Sequence, residues 1–167
     1  SVVQITLGDP MLYSTSAYLL PLILERLGRD SVHVVPGISA LQAAGSLFME
    51  PLTIQEDRLM LMPATDMTAV EQALTQCETL VLYKCAKKMK QLLALLNKHG
   101  LADSARLVCY AEQSGRQAIF GDLRDAAESS HGYMATVIVY IGRKKWGTVE
   151  AERREKNQPI APPGVVN

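Results

Sequence analysis

The sequence predicts an α/β fold with a largely parallel sheet, on three observations. Short apolar, β-branched runs alternate with longer segments in which apolar residues recur at helical spacing. Turn-forming residues punctuate the junctions, most visibly Gly8-Asp9-Pro10 and Pro36-Gly37. The apolar share is 48%, with only two Phe and one Trp, so a core must be assembled from Leu, Val, Ile, Ala and Met.

Taken in order, residues 2–7, 32–35, 58–62, 79–83, 106–110 and 135–141 have the composition of strands. Residues 14–27, 40–48, 67–76, 87–99 and 123–129 have the period of helices. Alternation of this kind places helices over a parallel sheet. Ser14, Thr15 and Asp66 stand where a helix N-cap belongs, and Gly28 and Gly100 where a left-handed residue closes a helix. Residues 49–55, with Pro51, interrupt the alternation and read as a linker. This divides the chain into residues 1–49, the remainder of an N-terminal α/β domain, and residues 50–146, a C-terminal α/β domain. The charged stretch at 150–156 and the prolines at 159, 162 and 163 mark residues 147–167 as an irregular tail.

Seventeen basic and seventeen acidic residues cancel. The net field therefore gives no reason to expect nucleic acid or an anionic membrane as partner, and an anionic ligand would have to be held by local groups. No apolar run approaches the roughly 18 to 20 residues of a membrane span. Cys77, Cys85 and Cys109 are odd in number, lack CxxC spacing and sit in or beside apolar runs. They are expected as buried reduced thiols in a cytoplasmic protein.

Two loops are placed for chemistry. Residues 7–14, Leu-Gly-Asp-Pro-Met-Leu-Tyr-Ser, join a strand-like run to a helix, the position at which open α/β sheets bind ligands. Gly8 admits a close approach to backbone, and Asp9 offers an acceptor to a hydroxyl or amine. Taken alone the tripeptide is an ordinary turn. The second loop, 35–40, holds Ser39 and Ala40, which either start a helix or line a pocket. GxGxxG, GxxxxGK[ST], GxSxG and HExxH are all absent from the sequence. His33, His99 and His131 are too dispersed to predict a metal site. Lys84, Lys87, Lys88 and Lys90 form a basic cluster that reads either as a solvated face or as a carboxylate-binding rim.

The ordered motifs GDPMLYS, VVPGISALQAA, LMLMPAT, TLVLYK, GLADSARLVCYAE and ATVIVYIG resemble the tetrapyrrole (corrin/porphyrin) methylases over residues 2–142. The wording at 6–15, at 62–65 and at Gly100-Leu101 is most similar to the precorrin-2 or cobalt-factor-II C20-methyltransferases. By contrast, Ser114-Gly115-Arg116-Gln117 resembles a loop of the uroporphyrinogen-III methylases, and residues 134–139 depart from the C20 pattern. The family's opening Gly-Pro-Gly-Asp loop has no counterpart, so a truncated first subdomain is expected, and this piece alone is expected to be inactive.

The resemblance implies two α/β subdomains with the active site in the trough between them. It also implies S-adenosylmethionine as cofactor, a tetrapyrrole as substrate, C-methylation in cobalamin biosynthesis, and a homodimer. Carried onto this sequence, the cofactor pocket comprises Gly8, Asp9, Leu12, Tyr13, Ser39, Ala40, Tyr83, Lys84, Ala111, Met134 and Ala135. Lys84 and Arg116 are the candidates for the substrate's carboxylates, no metal ligand is implied, and no catalytic residue is assigned, Tyr13 being considered as a base on chemical grounds alone. Alternatives left open are another ring-carbon methylase of the same family, of precorrin-4 or uroporphyrinogen-III type, and a non-catalytic ligand-binding or dimerisation fragment.

Overall fold

A computed structural model describes residues 2–126 and 134–142. Its helices are α1 (Ser16–Leu27), α2 (Ala40–Phe48), α3 (Met67–Ala73), α4 (Met89–Lys98) and α5 (Leu123–Ala126). Its strands are β1 (Leu59–Pro63), β2 (Thr79–Tyr83), β3 (Ala105–Cys109), β4 (Ala118–Phe120) and β5 (Ala135–Tyr140). The α/β class is thus as expected. The expected tail, residues 147–167, and the last three residues of the expected helix at 123–129 lie outside the described residues.

The strands form one sheet in the order β1-β2-β5-β3-β4. Only β1 and β2 pair in parallel, while β5 runs antiparallel to both β2 and β3, and β4 antiparallel to β3. This corrects the expectation of a largely parallel sheet. A strand-helix-strand crossover preserves direction, and a hairpin-like return reverses it. The three-residue β4 went unread in the sequence, and it reverses the chain after β3. The strand that follows α5, β5, therefore enters the sheet the other way round and slots between β2 and β3.

Alternation along the strands builds two cores. On one face Leu80, Leu82, Leu107, Cys109, Val137 and Val139 pack with Val70 of α3, Leu92 and Leu96 of α4 and Leu123 of α5. On the other, Val81, Tyr83, Val108, Ile138 and Tyr140 pack beneath Ala44 of α2, with Leu41 and Phe48 alongside. Covered on both sides, β2 and β5 are buried at every position, which is why they read as unbroken apolar runs.

Helix ends follow the local chemistry. The Asp66 carboxylate accepts from the backbone N–H groups of Thr68 and Ala69, capping α3. Gln42 Oε1 accepts from the Ser39 backbone N–H at 2.9 Å and from its hydroxyl at 2.7 Å, securing the start of α2. Ser14 Oγ accepts from the Ser16 N–H at the start of α1. Gly28 and Gly100 take positive φ, 75° and 66°, at the ends of α1 and α4.

Two expected strands do not form. Residues 2–7 and 32–35 carry no ladder hydrogen bonds among the described residues, and Val2, Val3, Ile5, Val34 and Val35 are exposed. Strand propensity is realised only where a neighbour supplies the other half of the ladder, and neither segment has one here. For the same reason α1 buries none of its residues. Cys77, Cys85 and Cys109 are buried and unbridged, as the sequence led us to expect. No helix among the described residues is long and apolar enough to cross a membrane.

Candidate functional site

The carboxyl ends of β2 and β3 lie at one edge of the sheet. Because β5 is antiparallel to both, its first residues come to the same edge, with Ala135 opposite Cys109. A cleft of about 420 Å³ opens there, walled on the other side by the loop at 7–13 and the start of α2. Its lining includes Gly8, Asp9, Leu12, Tyr13, Ser39, Ala40, Tyr83, Lys84, Ala111, Met134 and Ala135. The structure therefore gathers around one cavity every residue that the resemblance nominated for a cofactor. Arg116 is not part of this lining. Its guanidinium stacks 4.0 Å from the centre of the Tyr110 ring, so Lys84 and Arg116 do not converge in the cleft.

Side chains that the sequence did not single out complete the walls: Leu7, Ile38, Ala43, Glu112, Gln113 and Thr136. Glu112 and Gln113 lie in the turn that follows β3, next to Ala111. Thr136 becomes a lining residue only through the reversed direction of β5.

The geometry of the walls rests on a few contacts. The Asp9 carboxylate accepts from the Met11 N–H at 2.8 Å and from the Gly37 N–H at 2.9 Å. These backbone donors, Gly37 first, hold its carboxyl below the usual aspartate range. The Tyr83 hydroxyl, at the end of β2, accepts from the Leu41 N–H at 2.9 Å and so supplies one of the missing partners in the first turn of α2. Burial pushes the Tyr83 phenol up, keeping it neutral. The Tyr13 ring meets Tyr83 edge-on at 5.4 Å, and the Lys84 ammonium lies 5.8 Å from the Tyr13 ring centre. Below the wall, the Cys85 thiol donates to the Ala135 carbonyl at 3.5 Å, and desolvation pushes it up to about 12.

Backbone strain is concentrated at this edge. Tyr13, Lys84 and Glu112 line the cleft with φ of 53°, 56° and 59°, and the adjoining Tyr110 has 50°. Among the described residues, no group of three or more His, Cys, Asp or Glu side chains is arranged to hold a metal ion. His99 instead contacts Glu71 Oε1 at 2.7 Å, and His131 lies outside the described residues. What the cleft offers is backbone polar groups, small residues at the loop tips, two aromatic rings, one ammonium and the carboxylates of Asp9, held by backbone donors, and Glu112. It suits a ligand of moderate size with few charges.

The chain is similar to known proteins in both sequence and fold. Residues 1–127 match the family model of the tetrapyrrole (corrin/porphyrin) methylases. The chain is 32% identical over 149 residues to the cobalt-precorrin-2 C(20)-methyltransferase of Salmonella typhimurium, covering 87% of this chain and 60% of that protein. It is 30% identical over 97 residues to a probable cobalt-precorrin-2 C(20)-methyltransferase of Methanocaldococcus jannaschii, covering 58% of this chain and 40% of that protein. The chain thus spans less than two thirds of the length of these relatives.

Among solved structures, the cobalt precorrin-4 methyltransferase CbiF superposes with a TM-score of 0.60 at 22% identity, over 79% of this chain and 60% of that one. The uroporphyrin-III C-methyltransferase of Thermus thermophilus, complexed with S-adenosylhomocysteine, superposes with 0.54 at 19% identity, over 83% of this chain and 64% of that one. These two likenesses establish a common fold, and the sequence matches go further: the chain belongs to the tetrapyrrole (corrin/porphyrin) methylases.

Proposed function

We propose that this chain is part of an S-adenosylmethionine-dependent methyltransferase acting on a corrin-ring precursor in cobalamin biosynthesis, with precorrin-2 or cobalt-factor II methylated at C20. The observation that carries the reading is the cleft at the sheet edge. Its volume lies within the range of small-molecule sites, and its walls lack the cationic cradle that phosphates demand. Those features suit adenosylmethionine, which carries no phosphate. The C20 assignment draws on the 32% identity to the Salmonella typhimurium enzyme.

When bound, adenosylmethionine supplies an electrophilic methyl group on a sulfonium. The residues present would act by holding and orienting. Gly8, Ser39 and Ala40 offer backbone groups with little side-chain bulk, Leu12, Tyr83 and Met134 give apolar walls, and Tyr13 excludes water at the mouth. Lys84 supplies a cation for a substrate carboxylate. Arg116, outside the cleft, would engage only a part of the substrate that extends beyond it. A nucleophile on the protein is unnecessary for transfer of this kind, and positioning accounts for most of the acceleration.

We read residues 1–49 and 50–146 as parts of two subdomains flanking the trough, in a cytoplasmic homodimer. The exposed apolar side chains Tyr18, Leu19 and Leu22 on α1 and the three unbridged thiols support this. Light scattering on the full chain tests the dimer.

The decisive experiment is titration of the full-length protein with S-adenosylhomocysteine, followed by transfer of labelled methyl to precorrin-2 and location of the new methyl by NMR. Saturable binding, lost in a folded Ala40→Trp variant that fills the cleft, is the expected result. Absence of heat at millimolar ligand refutes the cofactor assignment, and a methyl on another carbon refutes the C20 assignment.

A further inference from the structure

We propose that Asp9, itself at the cleft wall, is a positioning residue whose carboxylate clasps the two loops walling the cleft and so sets the cleft's width. The proposal rests on the adenosylmethionine reading and deepens it. Each carboxylate oxygen is directed to a different loop: Oδ1 accepts from Met11 N–H in its own loop, and Oδ2 from Gly37 N–H, 28 residues further along. The segments that lead into these loops, 2–7 and 32–35, form no ladder with each other.

The backbones it draws together are in contact. A Cβ added at Gly37 would lie 2.4 Å from the Gly8 carbonyl oxygen and 3.4 Å from Asp9 Cα, so the approach is open only to glycine. Directly beyond Gly37, Ile38, Ser39 and Ala40 line the cleft. A displacement of Gly37 is passed to them through the chain. A carboxylate presents acceptors on both oxygens, whereas an amide has one acceptor and presents N–H donors on the other side. Asparagine at this position can satisfy Met11 or Gly37 but opposes donor to donor at the second.

The test compares Asp9→Asn, Gly37→Ala and the double variant in the full-length protein. Asp9→Asn is expected to weaken S-adenosylhomocysteine about tenfold by calorimetry, and to raise KM for adenosylmethionine while kcat stays within about twofold. Gly37→Ala parts the same two loops by steric clash, so the double variant should bind no more weakly than Gly37→Ala alone. Losses that multiply would mean that Asp9 meets the ligand directly and would overturn the clasp. A second readout needs no ligand: exchange of the Gly37 amide proton should be about tenfold faster in Asp9→Asn. Unchanged exchange overturns the clasp even if ligand affinity falls. Wild-type protein that does not bind S-adenosylhomocysteine refutes the cofactor reading, and the exchange measurement still decides the clasp.

Discussion

The thiol of Cys85 gives the most quantitative consequence of the packing beneath the cleft. It is fully buried among β2, β5 and α4, donates to the Ala135 carbonyl, and is pushed by desolvation from 9.0 to about 12. Between those values the native protein keeps a proton that the unfolded chain releases. Stability is therefore intact below about pH 9 and falls as pH rises through this window, by about 1.4 kcal/mol per pH unit. At about pH 10.5 the loss from this one group is about 2 kcal/mol. Cys85→Ala removes it at a cost of about 1 kcal/mol in packing. The variant should therefore be the less stable protein at about pH 8 and the more stable one at about pH 10.5. Urea unfolding of both proteins in reductant measures the difference. Burial also pushes up Cys77, Cys109 and Tyr83, but these are present in both proteins and cancel. A difference between wild type and variant that stays constant across this range would refute the reasoning.

Three further outcomes follow from individual contacts. Tyr83→Phe leaves the Leu41 N–H without its acceptor and should cost about 1 to 3 kcal/mol in urea unfolding, with weaker S-adenosylhomocysteine binding because α2 walls the cleft. Asp66→Ala removes the cap of α3 and should cost about 1 kcal/mol, read the same way, with ligand affinity unchanged because α3 is remote from the cleft. Glu78, held down to about 2 by the Arg58 guanidinium and backbone N–H, stabilises the fold above its ordinary 4.5, and that contribution is lost as pH falls toward about 2. Glu78→Gln should flatten the acid limb of a stability-pH profile.

How much of this was legible depended on whether the signal was local. Asp66 caps α3 and Gly100 ends α4 because both effects act within one turn of helix, where sequence order is spatial order. The segments 79–83 and 135–140 were legible as strands because helices cover both faces of the sheet and leave every position apolar. The segments 2–7 and 32–35 have the same composition but remain unpaired, since residue type does not report whether a neighbouring strand is there. The direction of β5 was hidden in β4, whose three residues are too few to show a period. Gly8, Asp9, Ser39 and Ala40 were legible because turn residues and a helix start mark their loops, the other nominated cleft residues came from the family resemblance, and Leu7, Ile38 and Ala43 carried no such mark. Thr136 could be found only after the sheet had been assembled, and Arg116, plausible by charge, is turned onto Tyr110.

The same reversal explains why a site can exist at this edge at all. With β5 parallel to its neighbours, Tyr140 and Ile141 would stand beside Tyr83 and Cys109, and Met134, Ala135 and Thr136 would lie at the far end of the sheet. Antiparallel insertion brings small and flexible side chains to the mouth and leaves Tyr140 buried below, packed with Ile138 under α2. The strands β2 and β5 beneath the cleft are buried at every position, while the loops above hold Tyr13, Lys84 and Glu112 in left-handed conformations that cost about 1 kcal/mol or more each. Such strain persists only where surrounding structure fixes it, and Lys84 directly follows β2, which is buried at every position. The strain therefore sits where rigid backbone meets open space, the arrangement expected of loops shaped to hold a ligand rather than to close a core.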